Sequence, residues 1–352
     1  MKDKKYYLLY TSLKNKIISG EYTAEQKLPS KRVMADMTGL SIITVQNAYN
    51  MLIDEGYIVS KERSGYFVCK ADGFAARTGE SAQASFDYVE DQPVTDSRDF
   101  EYSVWFKTVR KVISEDGDRL FVKSPSKGCA ILRNAIADYL LRYRGMVAPP
   151  ERIIIGSGSE QLYESIVKIL GRDKIFGVED PCYRQITAVY EGMGVKLRRL
   201  KMGNDGIESR YIAKNNFDVL HTTPFHSYPS GVTTSASRRY EYLDWAKKNN
   251  KYIIEDDFDS EFFLPGQPIQ SLYSSDDAHR VIYVNTFSKS LSPSMRLGYM
   301  ILPPELLKVY DEELGHYSCT VPVMEQYVLA EFISGGNFER HLNRVRRKNK
   351  QR

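Results

Sequence analysis

Cysteine is scarce in this 352-residue chain: Cys69, Cys129, Cys182 and Cys319 are widely separated, and no C-x-x-C pair occurs. Such scatter argues against a zinc site or a disulfide framework and points to a reducing compartment. The sequence also lacks a secretory hydrophobic region near Met1 and any apolar run long enough to span a bilayer, so a cytoplasmic protein with no membrane partner is expected. Excess charge is missing from most of the chain as well. Residues 1–70 hold eleven Lys and Arg against seven Asp and Glu, whereas residues 71–352 balance at 38 of each. The net +4 therefore sits in a small basic head on a neutral body. That distribution fits nucleic-acid binding, and equally a solvated face.

What is present suffices for more than one core. The chain exceeds the roughly 250–300 residues at which single cores stop growing, and 42% hydrophobic with 27% charged residues is a globular composition. In the first seventy residues, Tyr6 to Ser19 reads as a helix with Leu9, Leu13, Ile17 and Ile18 on one side, closed by Gly20. A second helix follows Pro29-Ser30, with Ser30 as N-cap and Val33, Met34 and Met37 as its inner face. After the turn Thr38-Gly-Leu, Ser41 caps a third helix whose apolar positions Val45, Ala48, Tyr49, Leu52 and Ile53 repeat at helical spacing. Its other face offers Thr44, Gln46, Asn47 and Asn50, short polar side chains able to reach phosphates and base edges. Tyr57 to Ser60 and Gly65 to Val68 read as two strands of a hairpin able to serve as a wing. Helix, short turn, helix is the arrangement that lays a recognition helix in the major groove; a three-helix packing module without a ligand is the plain alternative.

Residues 71–100 are rich in Ala, Ser, Thr, Asp and Gln without a sustained apolar period, which suits a linker. A second body is expected over residues 101–352, opening with a helix from Tyr102 to Ile113 that carries Val104, Trp105, Val109 and Val112, and another over Leu132 to Arg142. Strand signals at Ile153, Lys174–Val178, Val195–Leu197, Phe217–His221, Tyr252–Ile254 and Val281–Val284 alternate with helical segments. This argues for a mainly parallel α/β sheet with ligands at the carboxyl ends of its strands.

One stretch of this body stands out. Between the strand signals Val281–Val284 and Leu297–Leu302 lie Thr286, Ser288, Lys289 and Arg296. Lysine and arginine are seldom buried without a partner, and a bound anion would provide one. A desolvated Lys289 amine can attack an aldehyde to form a Schiff base while Thr286, Ser288 and Arg296 hold a phosphate on the same molecule. Pyridoxal 5'-phosphate carries both groups; a surface Ser/Lys loop is the bland reading. The turn Gly156-Ser-Gly-Ser-Glu160 joins a strand to a helix, and its N–H groups at Gly158, Ser159 and Glu160 can receive a phosphate. Asp256, after another strand, suits a pyridine nitrogen, since a carboxylate there keeps the ring protonated. Tyr183 follows a Pro-containing turn and can stack on a ring, although ordinary packing is the commoner use of such a residue.

The stretch Ser288-Lys-Ser-Leu-Ser-Pro-Ser-Met-Arg-Leu-Gly-Tyr299 resembles the lysine loop of fold-type I aminotransferases in the form found in the MocR subfamily of GntR-type regulators. Thr223-Pro-x-His-x-x-Pro-Ser-Gly231 and Glu255-Asp-Asp-x-Asp-Ser-Glu-Phe262 extend the resemblance over the body. Lys27-Leu-Pro-Ser-Lys-Arg32, Leu40-Ser-Ile-Ile-Thr-Val45 and Glu55-Gly-Tyr57 make the head similar to a GntR-type winged helix. The resemblance implies a winged helix-turn-helix followed by an aminotransferase-like, pyridoxal-phosphate-binding domain. Lys289 is then the Schiff-base lysine, Asp256 the partner of the pyridine nitrogen and Tyr183 the stacking ring, with Gly158, Ser159, Thr286, Ser288 and Arg296 on the phosphate. It likewise implies double-stranded DNA contacts by Arg32, Ser41 and Thr44 with Gly65 shaping the wing, and Ser30, Lys31, Gln46 and Asn47 complete the candidate set.

Three departures qualify these expectations. Ile42 stands where the family usually has arginine, so phosphate pairing and the salt dependence of DNA binding are reduced. Phe258 replaces a more usual tyrosine. The basic stretch Asn337 to Arg352 looks like the helix that leads into a small C-terminal subdomain, so this subdomain and its carboxylate-binding arginine are expected to be lacking; a basic tail that binds DNA or an acidic protein surface is another use of these cations. The function expected is a homodimeric transcription regulator sensing an amine or amino acid through pyridoxal phosphate. The alternatives are an aminotransferase with an accessory DNA-binding head and a cofactor-free body that only dimerises.

Overall fold

The computed structural model describes residues 5–61, 64–69, 100–262 and 270–351. The chain divides into two units, Met1–Glu90 and Asp91–Arg352. The segment read as a linker lies, apart from Phe100, outside the described residues.

In the head, α1 (Lys5–Ile18), β1 (Lys27–Leu28), α2 (Lys31–Thr38), α3 (Ile42–Asp54), β2 (Ile58–Lys61) and β3 (Gly65–Val68) follow one another. Ser30 caps α2 by accepting the Val33 N–H, and Gly39, at φ 67°, ends it in the left-handed conformation that glycine adopts without a Cβ penalty. Ser41 caps α3 through the Thr44 N–H. The three strands form an antiparallel sheet in the order β1-β3-β2; β1 is too short to have left a sequence signal. Leu9, Leu13, Ile17, Val45, Ala48, Tyr49 and Leu52 meet Leu28, Ile58 and Val68 in one core. The inner face expected for α2 is wrong in part. Met34 is buried, but Val33 and Met37 are 48% and 69% exposed, and Ala35 takes their place. The eight-residue helix is turned by about one residue because Tyr49 on α3 donates to Pro29 O and draws the start of α2 onto its Met34/Ala35 edge.

The body contains α4 (Tyr102–Asp116), α5 (Ala130–Arg144), β4 (Ile153–Gly156), α6 (Ser159–Leu170), β5 (Ile175–Asp180), α7 (Arg184–Gly192), β6 (Lys196–Gly203), β7 (Gly206–Ile207), α8 (Ser209–Ala213), β8 (Val219–Thr222), α9 (Ala236–Asn249), β9 (Tyr252–Asp256), α10 (Leu272–Ser275), β10 (Val281–Thr286), β11 (Gly298–Ile301), α11 (Pro304–Glu313), α12 (Val323–Ser334) and α13 (Asn337–Gln351). Eight strands join in the order β4-β11-β10-β9-β8-β5-β6-β7. β10, β9, β8, β5 and β6 run parallel; β11 is antiparallel to both β10 and β4. β4, β5, β8, β9, β10 and β11 are buried on both faces and are rich in continuous apolar runs, whereas β6, nearer the edge, is largely exposed and carries Arg198 and Arg199. Along β10, Tyr283 packs with α5, α12 and α13, while Ile282 and Val284 pack with α6, α7 and α11. No helix among the described residues is long and apolar enough to cross a membrane.

Leu52 is fully buried in the head, and truncating such a side chain costs about 2–5 kcal/mol. Leu52→Ala should speed amide hydrogen exchange throughout residues 5–68 while leaving the protection of the eight-stranded sheet unchanged, as read by mass spectrometry.

Candidate cofactor and nucleic-acid sites

The direction of β11 decides where the candidate residues of the body fall. Two successive antiparallel pairings make β4 parallel to β10, so β4, β10, β9, β8 and β5 all end at one edge of the sheet. β11 begins at that edge. Gly158, Lys289, Arg296 and Asp256, which span 139 residues of sequence, are thereby gathered on the carboxyl edge of one sheet.

The candidate anion cradle lies where β4 meets α6 and where the chain enters β11. Gly158 precedes α6 at φ 98°, and a Cβ there would come within 2.8 Å of Arg296 Nη2. The positive φ favours glycine here, and an added Cβ would also push the guanidinium aside. No side chain caps α6, so its first N–H groups keep free bonding capacity toward an anion. Arg296 takes a left-handed conformation at φ 42° and pairs with Glu160 Oε2 at 2.5 Å. Gln185 Nε2 donates to the other Glu160 oxygen at 3.1 Å. The Glu160 carboxylate therefore engages the guanidinium, and only the backbone N–H of Glu160 faces the role read from sequence. Thr286 ends β10 opposite Gly298 and is buried; Ser288 lies half-buried in the following turn.

Lys289 occupies the same turn. Its Nζ lies 3.0 Å from Asp259 Oδ2, an oxygen that His226 Nδ1 also approaches at 3.1 Å. The Phe258 ring sits 4.9 Å from Nζ, presenting a π-face where a tyrosine would add a hydroxyl. Burial raises the Asp259 carboxyl above its ordinary range, opposed by the nearby lysine. Asp259 and His226 lie inside the motifs quoted from sequence, yet neither received a role there. Tyr183 is half-buried beside Tyr228, ring centroids 5.9 Å apart and nearly perpendicular.

Asp256 is buried at the end of β9. Tyr163 Oη donates to its Oδ2, His221 Nε2 lies 3.6 Å from the same oxygen, and Tyr190 Oη bonds His221 Nδ1 at 2.7 Å. Its second oxygen, Oδ1, is buried with no hydrogen-bond partner among the described residues. A buried acceptor left unmade costs about 1–3 kcal/mol. A protonated ring nitrogen is the donor that would satisfy it, so the residues present fit pyridoxal phosphate at both ends: an acceptor for the ring, and a guanidinium with helix N–H groups for the phosphate. The Tyr163–Asp256–His221–Tyr190 chain escaped sequence reading because its members come from four elements. The helical spacing from Ser159 to Tyr163, which puts both on one face of α6, was the available hint.

A second polar layer supports the loops behind this edge. Arg144 pairs with Asp257 at 3.0 Å, and Tyr283 Oη donates to Asp257 Oδ2 at 2.6 Å. Asn285 Nδ2 donates to Glu261 Oε1 at 2.9 Å. Burial, reinforced by the Asp257 charge, pushes the Glu261 carboxyl up to about 7, and Glu255 likewise to about 7.

In the head, the residues read as DNA contacts lie on and around α2 and α3. Arg32, Ser41 and Asn47 are exposed; Lys31, Thr44 and Gln46 are half-buried. Lys31 Nζ donates to Gln46 Oε1 at 2.5 Å, linking the two helices. Ser30 and Ser41 each spend their hydroxyl oxygen on a helix cap. Gly65, at φ 117°, starts β3 opposite Lys61, where a Cβ would crowd Lys27 Cε at 3.0 Å.

Comparison with known proteins agrees with this division. Residues 5–68 match the bacterial regulatory proteins of the gntR family, and residues 92–352 match aminotransferase class I and II. The chain is 36% identical over 351 residues to the HTH-type transcriptional regulator YdeL of Bacillus subtilis, covering 97% of this chain and 76% of that protein. It is 29% identical over 365 residues to the probable rhizopine catabolism regulatory protein MocR of Rhizobium meliloti, covering 96% and 73%. Among solved structures, an archaeal alanine:glyoxylate aminotransferase matches with a TM-score of 0.63 at 26% identity over 69% of this chain. The chain spans about three-quarters of the length of these curated relatives and 62% of that aminotransferase.

The raised Glu255 and Glu261 carboxyls give a signed pH dependence. Folded chains keep these protons to about pH 7 while unfolded chains release them in the ordinary glutamate range, so their stabilising contribution is complete at low pH and is lost as pH rises to neutrality. Glu261→Gln retains an oxygen for Asn285 and removes one of the two titrations. The drop in thermal midpoint between roughly pH 5 and pH 8 should shrink in this variant relative to the unmodified protein.

Proposed function

This chain belongs to the MocR subfamily of GntR-type transcriptional regulators, and from that premise we propose that it is a DNA-binding regulator whose body binds pyridoxal phosphate and senses an amine or amino acid. The observation that carries the reading is the buried Asp256 Oδ1, left without a donor at the same sheet edge that bears Lys289 and Arg296. It acts in the cytoplasm as a homodimer on double-stranded DNA, over a domain plan of head 1–70, linker 71–100 and body 101–352.

When bound, pyridoxal phosphate supplies an aldehyde open to attack by primary amines and a ring that draws electron density. The chain's own residues do the rest. Asp256 Oδ1 would accept the ring N–H, while Tyr163 holds the carboxylate from its other side, with His221 Nε2 3.6 Å from the same oxygen. Arg296, now paired with Glu160, would hold the phosphate, joined by N–H groups at Gly158, Ser159 and Glu160 and by the hydroxyls of Thr286 and Ser288. Tyr183 would cover the ring face. Lys289 Nζ would be the attaching amine, and Asp259 Oδ2, 3.0 Å away with its proton affinity raised by burial, is placed to take up the amine proton. The sensed ligand would be a primary amine able to compete with Lys289 for that aldehyde. In the head, Arg32, Ser41, Thr44, Gln46 and Asn47 face the duplex, Ser30 and Lys31 brace the entry to α2, and Gly65 shapes the wing.

Protein mixed with pyridoxal phosphate should develop a visible absorption band, and borohydride reduction should leave the cofactor's mass on Lys289. Lys289→Ala should abolish both; a band that persists unchanged in the variant rejects the assigned lysine. Arg296→Ala should weaken cofactor binding roughly 10- to 150-fold, the worth of a hydrogen bond to a charged group, about 1.5–3 kcal/mol. A gel shift with the DNA upstream of the protein's own coding sequence tests the head, and failure at low salt counts against regulation. Amino-group transfer from an amino acid to a keto acid would replace the sensing role with an enzymatic one.

A further inference from the structure

The third helix of the head contains no lysine or arginine: its thirteen residues read Ile-Ile-Thr-Val-Gln-Asn-Ala-Tyr-Asn-Met-Leu-Ile-Asp. Its rotation is fixed by Val45, Ala48, Tyr49 and Leu52, all with no exposed surface. At roughly 100° per residue, the arc opposite that face runs through Ile43, Asn47, Asn50 and, at the far end of the helix, Asp54, with Ile42 and Gln46 on one flank. Ile43 is 73% exposed and Ile42 47%, while Asn47 and Asn50 are also exposed. Gln46 is held in place between Lys31 Nζ and Asn50 Oδ1, to which its Nε2 donates at 3.4 Å. The outward face is thus a row of amides with two isoleucines at its leading end.

Major-groove edges sort side chains by chemistry. Guanine takes the fork of arginine or the ammonium of lysine, adenine takes the paired donor and acceptor of an amide, and thymine offers a C5 methyl to apolar groups. Residues at the start of a recognition helix are those that reach base edges. α3 has amides and isoleucines there and lacks the groups that select guanine.

We propose that this head reads A·T base pairs in the major groove, with Ile43, flanked by Ile42, packed on thymine methyls and Asn47 paired with adenine. The inference rests on the DNA-binding reading and specifies its target. Phosphate attraction is left to the flanking residues, of which Arg32 is exposed on α2.

The test uses the full chain and a library of random-sequence duplexes. Sequences recovered by repeated selection should share A·T pairs in each half-site. Replacing single thymines in the selected duplex by uracil, which removes only the methyl, should weaken binding about fourfold at the contacted positions, as expected for one buried methyl-sized group. In Ile43→Ala the thymine-to-uracil difference should vanish at those positions. Guanine-anchored selected sites, or equal thymine and uracil binding by the unmodified protein, would overturn the inference while leaving DNA binding intact. Unchanged discrimination in both Ile42→Ala and Ile43→Ala would also overturn it and leave the exposed isoleucines to a protein surface. If no duplex binds even at low salt, the inference falls together with the regulatory reading.

Discussion

Carboxylates buried at the carboxyl edge of the sheet govern the body of this protein. A buried charge is tolerable only when donors surround it, and most of these carboxylates recruit theirs from distant loops. Glu179 accepts from Thr222, from both the N–H and the hydroxyl of Thr223, and from Ser227. Glu255 accepts the N–H groups of Leu272 and Tyr273 at the start of a helix. Asp257 takes Arg144, Tyr283 and the Ser260 N–H. Each carboxylate thereby ties down a connection that a parallel sheet leaves long. Asp256 has one oxygen bonded and the other bare, as does Glu261, and it is set apart by its place at the end of β9, on the edge that bears Lys289 and Arg296.

Sequence made the local features legible. The lysine turn stood out because charged and hydroxyl residues interrupt two apolar strands, and the helix-turn-helix because Ser30, Gly39 and Ser41 punctuate amphipathic runs. Strand order and direction were not readable, since nothing in Gly298–Ile301 itself dictates antiparallel pairing on both sides. Partners brought together by that order were hidden for the same reason: Tyr163 and His221 around Asp256, and His226 and Asp259 around Lys289. Short elements misled in their own way, as in the rotated second helix, where two exposed apolar residues mimicked an inner face.

The C-terminal helix illustrates how composition and packing differ. Its cations looked like a basic surface, yet Arg344 pairs with Glu101 at 2.7 Å and Arg346 Nε donates to Glu261 O. His341 Nε2 bonds Ser290 O at 2.8 Å, next to Lys289, while Phe338 and Leu342 enter the core. Part of the charge is thus spent within the body, and His341 ties the helix to the lysine turn.

Because the strand after the lysine turn reverses direction, one short excursion of chain supplies both Lys289 and Arg296. Amine and guanidinium ride on a single tether and cannot be repositioned separately. A one-residue insertion or deletion between them would change the span from amine to guanidinium, so natural variation in this family should substitute residues within the loop while keeping its length.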